Sequence, residues 1–176
     1  MQSYPSIKRF LIPHLMIIMA FSAFGQQSET SVKATDIGKF FELSTEAEKH
    51  RRTRLISIDQ FNEMSKDGNT IILDSRSAEA YEMTHLKGAI NLNFSDFTEE
   101  KLAKVIPNKK TRILIYCNNN FQSIYAELGD KDSSLALNIP TFINLYGYGY
   151  KNIYELESRI VDSDKRLNFS GTSHNK

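Results

Sequence analysis

"ILIYCNNNFQS", residues 113–123, begins as an apolar run and stops at the only cysteine in the chain. Ile113, Leu114, Ile115 and Tyr116 are apolar on consecutive positions, the pattern of a strand buried on both faces. Such strands belong to parallel sheets covered by helices. Cys117 therefore stands at the carboxyl end of a strand, where open parallel sheets bind ligands because the loops of neighbouring strands diverge. The alternative is a packing cysteine, since a free thiol behaves as a small hydrophobe.

The flanking sequence alternates between strand and helix patterns. "TIILD" (70–74) reads as a second strand, Ser77 as the N-cap of a helix in "SAEAYEMTHL" (77–86), and "KGAINLNF" (87–94) as a turn at Gly88 followed by a strand over 89–92. Thr98 or Asp96 caps a helix that closes before Pro107. Upstream, Ser57 and Gln60 have capping-box spacing for a helix over 59–65, with Phe61 and Met64 on its buried side. Downstream, the sequence predicts a helix over 122–128, a strand in "IPTFINL" (139–145), a glycine turn in "YGYGY" (146–150) and a closing helix in "KNIYELESRI" (151–160). This order implies an α/β three-layer sandwich with a mostly parallel central sheet flanked by helices, over 55–160.

A polar leader, 26–54, precedes that domain, and a tail, 161–176, is expected to be disordered. A helix over 36–50 is expected to pack on the domain through Ile37, Phe40 and Phe41, which share one face. His50, Arg51, Arg52 and Arg54 form either a partner-binding patch or a solvated helix end whose cations complement the dipole. The stretch around Asp130 to Leu137 is a polar insertion able to reshape a pocket rim.

With 176 residues, 40% of them hydrophobic and 24% charged, the chain has the composition of a single globular domain. Its 22 basic and 21 acidic residues leave a net charge of +1, so no global field favours nucleic acid or an anionic membrane. At the N-terminus, Lys8 and Arg9 precede an uncharged, largely apolar run over 10–24, with Ala23 and Gly25 as small residues. Residues 1–25 thus read as a secretory signal cleaved near Gly25, which places the mature chain in the periplasm or outside the cell. The run is shorter than the ~20 residues of a membrane-spanning helix, so membrane attachment is expected only if the signal stays uncleaved. A lone cysteine in an exported chain has no internal disulfide partner.

A loop curling after Cys117 would turn backbone N–H groups towards the sulfur, and a following helix would add its positive dipole end. Both lower a thiol pKa from ~8.5. Asn118, Asn119 and Asn120 suit such a loop because asparagine tolerates the left-handed backbone region.

The order "ILDSR", "YEMTHLKGAINL", "ILIYC", "INLYGYGYKNIYELE" resembles a rhodanese domain. The shared features are a strand ending in Asp-x-Arg (Asp74, Arg76), then His85, Leu86, Gly88, Ala89 and Asn91, then a strand-terminal cysteine, then a paired-glycine turn at about Gly147 and Gly149. The resemblance implies a sulfurtransferase without metal or organic cofactor. In it, Cys117 accepts a sulfane sulfur as a persulfide, cradled by the amides of Asn118, Asn119, Asn120, Phe121 and Gln122, and passes it to a thiol or other nucleophile. It implies a small sulfur donor and a thiol acceptor as partners.

The loop departs from that family's common Cys-x-x-Gly-x-Arg, with Asn120 and Gln122 at the third and fifth positions and no cation. Thiosulfate would lose a charge-assisted hydrogen bond worth about 1.5–3 kcal/mol, so a neutral persulfide or polysulfide donor is equally in view. Phosphatases of this fold need an arginine six residues after the cysteine, where this chain has Ser123. Arg76 is the nearest cation, and with Asp74 it is either part of the chemistry or an ion pair clamping the turn after the strand. His85 is either a general acid or a histidine bonded to backbone, and His14, His50 and His174 give no metal-ligand spacing with it. The rival to a sulfurtransferase is a catalytically silent module that binds a protein partner.

Overall fold

The computed structural model of the protein describes residues 35–122, 131–157, 159–161 and 163–174. The signal segment, the start of the leader and all but the first residue of the helix expected over 122–128 lie outside them. The chain divides after Thr35, and the elements below belong to the second unit, Asp36–Lys176.

Five parallel strands form the central sheet: β1 (Leu55–Ile56), β2 (Thr70–Asp74), β4 (Ala89–Asn91), β5 (Arg112–Tyr116) and β7 (Ile153–Leu156), in the order β1-β7-β5-β2-β4. β5 is the middle strand, so Cys117 leaves the sheet at its centre. Alternate β5 side chains face opposite layers, as the two-residue period of a strand requires. Ile113 and Ile115 join a core with α1 (Ile37–Arg51), α4 (Glu99–Val105) and α5 (Asn138–Gly147). Leu114 and Tyr116 join a second core with Phe61 of α2 (Ile58–Ser65), and Tyr81 of α3 (Ala78–Met83) packs against it. The result is the expected three-layer α/β sandwich.

Local signals account for most element starts. Ser57 and Gln60 cap α2 reciprocally, Ser77 accepts from the Ala80 amide, and Thr98 rather than Asp96 caps α4 through the Lys101 amide. Gly88, at φ +85°, turns the chain between β3 (His85–Leu86) and β4.

The carboxyl-terminal third differs from expectation, with helix and strand exchanged. The stretch read as strand, 139–145, lies in α5, whose buried residues Asn138, Thr141, Phe142 and Leu145 follow helical spacing. Pro140 sits in its first turn, where no intrahelical N–H bond is lost. The stretch read as a closing helix contains strand β7, flanked by β1 and β5. Its charge at Glu155 is met by Arg51 of α1, whose Nε and Nη2 each donate at 2.5 Å. The paired-glycine turn is split: Gly147 is the last residue of α5 and Gly149, at φ +88°, lies in the loop to β7.

The leader helix forms but turns its face. Ile37, Phe40 and Phe41 are exposed, and α1 packs instead through buried Ala47. A Cβ on Gly147 would come within 2.9 Å of Leu43, so the small residue permits the close approach of α5 to α1. The basic cluster is engaged with the domain: His50 Nε2 lies 2.7 Å from the Lys151 carbonyl, and Arg54 lies over the Tyr154 ring.

The tail is not disordered over 163–174. β9 (Phe169–Ser170) pairs antiparallel with β3, and β8 (Ile160–Val161) pairs with β6 (Phe121–Gln122). Phe169 packs edge-on against Phe121, and His174 Nε2 lies 2.8 Å from Thr84 Oγ1. These apolar contacts lie outside any regular period, which is why a polar composition hid them.

Candidate active site

Cys117 directly follows β5 and is buried, at 2% exposure. Asn118–Asn120 form a single 3-10 turn, closed by the Asn120 amide donating to the Cys117 carbonyl at 3.0 Å. No non-glycine residue among those described has a positive φ, so the left-handed conformation expected of the asparagines is not used. Each asparagine side chain makes a different tie. Asn118 Oδ1 accepts from Arg76 Nη1 at 2.8 Å. Asn119 Nδ2 donates to the Lys131 carbonyl at 2.5 Å, holding the far end of the polar insertion. Asn120 Oδ1 accepts from the Cys117 amide at 2.9 Å while its Nδ2 donates to the Leu156 carbonyl at 2.6 Å, joining the loop to β7.

The cradle round the sulfur comes from two separate pieces of chain. Backbone N–H groups of Asn138, Asn119 and Leu137 act on the thiol, each favouring its ionised form. Leu137 and Asn138 open α5, so this helix, twenty residues beyond the cysteine, brings its positive end to the sulfur. Of the five amides expected in the cradle that of Asn119 acts on the sulfur, and those of Asn120 and Phe121 donate to carbonyls that close the turn. Phe121 and Gln122 begin no helix: they form β6, with Phe121 buried against Tyr116 and Gln122 exposed. Burial pushes the Cys117 thiol up from its ordinary value and the nearby Glu155 charge adds to this, outweighing the three N–H donors. The depressed thiol pKa expected from the loop is therefore not found.

Beneath the loop lies a buried polar network. Arg76 donates from Nε and Nη2 to Asp74, from Nη2 to the Thr84 carbonyl at 2.6 Å, and from Nη1 to Asn118. Asp74 Oδ2 also accepts from Tyr116 Oη at 2.6 Å, and that hydroxyl accepts the Leu86 amide at 3.1 Å. Burial, together with the Asp74 charge, holds Tyr116 well above its ordinary value, so it stays a hydroxyl. Burial works against the Arg76 charge, but its bonds to Asp74 more than compensate. Arg76 is thus a clamp, and its bonds hold it within this network. His85 Nδ1 bonds the Tyr81 carbonyl at 2.7 Å with the rings stacked at 3.8 Å, a backbone-bonded histidine. Asn91 Nδ2 donates to the carbonyls of Asp74 and Arg76, fixing the turn that carries Arg76. Sequence reasoning passed over Thr84, Leu137 and Asn138; the helical spacing of Asn138, Thr141, Phe142 and Leu145 was the signal for the last two.

No group of three or more potential metal ligands occurs among the described residues. No helix among them is long and apolar enough to cross a membrane.

A parallel sheet with a thiol at the end of its middle strand, cradled by helix-terminal amides, defines a class of α/β thiol domains. Within it, the rhodanese-like domain family model matches residues 57–160, and the chain belongs to that family. The tRNA uridine(34) hydroxylase of Yersinia pestis (strain Pestoides F) is 26% identical over 120 residues, 66% of this chain and 29% of that protein. Its counterpart in Hamiltonella defensa is 27% identical over 107 residues, 58% of this chain and 26% of that one. The chain spans less than a third of the length of these relatives. Among solved structures, a rhodanese with anions from E. coli is 20% identical with a TM-score of 0.39, covering 58% of this chain and 98% of its own. The Alr3790 protein from Anabaena sp. has a TM-score of 0.41 at 20% identity, covering 58% and 69%.

Proposed function

We propose that the protein is a sulfurtransferase in which Cys117 carries sulfur as a persulfide. The observation that carries this reading is the convergence of three backbone N–H groups and the α5 N-terminus on one strand-terminal sulfur. Packing alone does not call for such donors, whereas an anionic sulfur does. The Cys117 thiolate attacks the outer sulfur of a donor persulfide; the new S–S bond forms as the donor's S–S bond breaks, and the donor leaves as thiolate. An acceptor thiolate then attacks the outer sulfur of the Cys117 persulfide, and Cys117 leaves as thiolate.

Persulfide or polysulfide donors suit the site better than thiosulfate. The loop carries no cation over 118–123, and Arg76 is held by Asp74, Thr84 and Asn118. The chain acts after export, with residues 1–25 removed near Gly25, in the periplasm or outside the cell; the N-terminal mass of the mature protein tests this. A second reading, a silent rhodanese-fold module that binds a protein partner, is favoured by the burial of Cys117 and its raised thiol pKa. Turnover separates the two: sulfur transfer from a low-molecular-weight persulfide to a thiol, abolished by Cys117→Ser, supports the enzyme, and equal rates with and without protein support the module.

A further inference from the structure

The Glu155 side chain stands on the same face of the sheet as the Cys117 sulfur. Glu155 is the register partner of Ile115 in the parallel β5–β7 pair, and Cys117, two residues on, keeps extended backbone at φ −146° and ψ −177°. The two-residue period of a strand therefore sends all three side chains into the layer of α1 and α5. The loop is tied to the same strand, since Asn120 Nδ2 donates to the carbonyl of Leu156, the residue after Glu155. Glu155 is 4% exposed, so water and salt screen its charge little, and that charge bears on the thiol.

A buried carboxylate beside a sulfur that reacts as an anion works against the chemistry. Arg51, the last residue of α1, meets that carboxylate in a two-bonded fork, Nε to Oε2 and Nη2 to Oε1. The end of α1 is held in place for this by buried Ala47, by His50 on the Lys151 carbonyl, and by the Glu155 amide donating to the Arg54 carbonyl at 2.9 Å. The other charges round the pair are Glu48 of α1, Lys131 at the end of the polar insertion, and Glu157 and Arg159 after β7. All four are exposed, where solvent weakens them, and Glu48 is paired with Arg52. α5, which lies against the same face, carries no charged side chain. Arg51 precedes residue 57, where the rhodanese-like match begins, so this guanidinium comes from a helix outside the matched domain.

We propose that Arg51 is a positioning residue of the thiol site: it holds and neutralises Glu155, and through that pair α1 shields the Cys117 sulfur from a buried negative charge. The purpose rests on the sulfur-transfer reading, in which Cys117 reacts as a thiolate and then carries an anionic persulfide on the same face as this carboxylate. Arg51 acts through Glu155 and makes or breaks no bond in the reaction.

The test is the pH profile of Cys117 alkylation by iodoacetamide, a neutral reagent, in the full chain of wild type, Arg51→Met, Arg51→Lys and Glu155→Gln. At one mildly alkaline pH, where Glu155 is ionised, Arg51→Met is expected to slow alkylation by about threefold or more, and Glu155→Gln to speed it by about threefold or more. The inflection moves up in the first and down in the second, and Arg51→Lys, which keeps the charge, stays close to wild type. A pair that only held the fold together would loosen the site in both variants and speed both. Shifts in the same direction, or an Arg51→Lys shift as large as that of Arg51→Met, overturn the proposal. Should Arg51→Met not fold by far-ultraviolet circular dichroism, Glu155→Gln decides alone, and a profile unmoved or raised in it overturns the proposal. Alkylation requires no sulfur uptake, so failure here and failure of the transfer reading are told apart.

Discussion

Arg76 Nη1 donates to Asn118 Oδ1 at 2.8 Å, and through that single bond the buried Asp74–Arg76 pair beneath the sheet end holds the first residue after Cys117. Arg76 and Asp74 are 5% and 0% exposed, so neither charge has water to fall back on. Arg76→Met leaves the Asp74 carboxylate buried without its partner and is expected to cost about 3–5 kcal/mol, read from urea unfolding midpoints. Asn118→Ala, which removes one bond to a charged group, should cost about 1.5–3 kcal/mol. An Arg76→Met midpoint equal to wild type would contradict the clamp.

Tyr116 offers a second probe of the same network. Tyr116→Phe removes one donor to Asp74, which keeps Arg76, and the acceptor of the Leu86 amide, leaving that buried amide unmet. A loss of about 2 kcal/mol or more is expected in the same unfolding assay, with the fold retained by far-ultraviolet circular dichroism.

The tail strap turns on one glycine. Gly171 has φ +123°, and a Cβ there would lie 2.5 Å from the Met83 carbonyl oxygen. Gly171→Ala should release β9 from β3 and the His174 contact with Thr84. Hydrogen exchange over 169–174 is then expected to rise to that of an unprotected peptide, while β5 amides stay protected. Unchanged protection in the tail would show that it is held by other means.

The raised pKa of Cys117 makes a signed prediction for pH. Unfolding exposes a thiol that ionises near ~8.5, while the folded thiol keeps its proton to higher pH. Its contribution to stability is whole below the unfolded pKa and is lost as pH rises through the folded one. Stability of the wild type should therefore fall between neutral and alkaline pH more steeply than that of Cys117→Ser. Alkylation of the native thiol should likewise rise only above the free-thiol pH range. An alkylation profile inflecting below ~8.5 would contradict the burial argument.

The legible part of this fold lies where local chemistry and burial agree. β5 and β2 are apolar enough to be read directly, and Ser57, Ser77 and Thr98 mark helix starts because a cap acts within three residues. α5 and β7 were exchanged because tertiary contacts override their propensities. Isoleucine and threonine in α5 favour a strand locally, while Glu155 sits in β7 because an arginine 104 residues earlier in sequence neutralises it. Cys117 and its strand end were readable, as were Asp74, Arg76 and His85. The source of the cradle was not, because α5 returns to the sulfur only after the polar insertion, and nothing local to "CNNNFQ" announces it. The three asparagines, read as shaping a cradle through left-handed backbone, instead tie the loop to Arg76, to Lys131 and to β7.

The central claim, that Cys117 holds sulfur, is tested most directly by intact-protein and peptide mass spectrometry of the native chain after incubation with polysulfide. The account predicts a gain of one sulfur atom on the peptide containing Cys117, removed by a thiol reductant and absent from Cys117→Ser. No added sulfur on the native protein, or the same gain in Cys117→Ser, would contradict it.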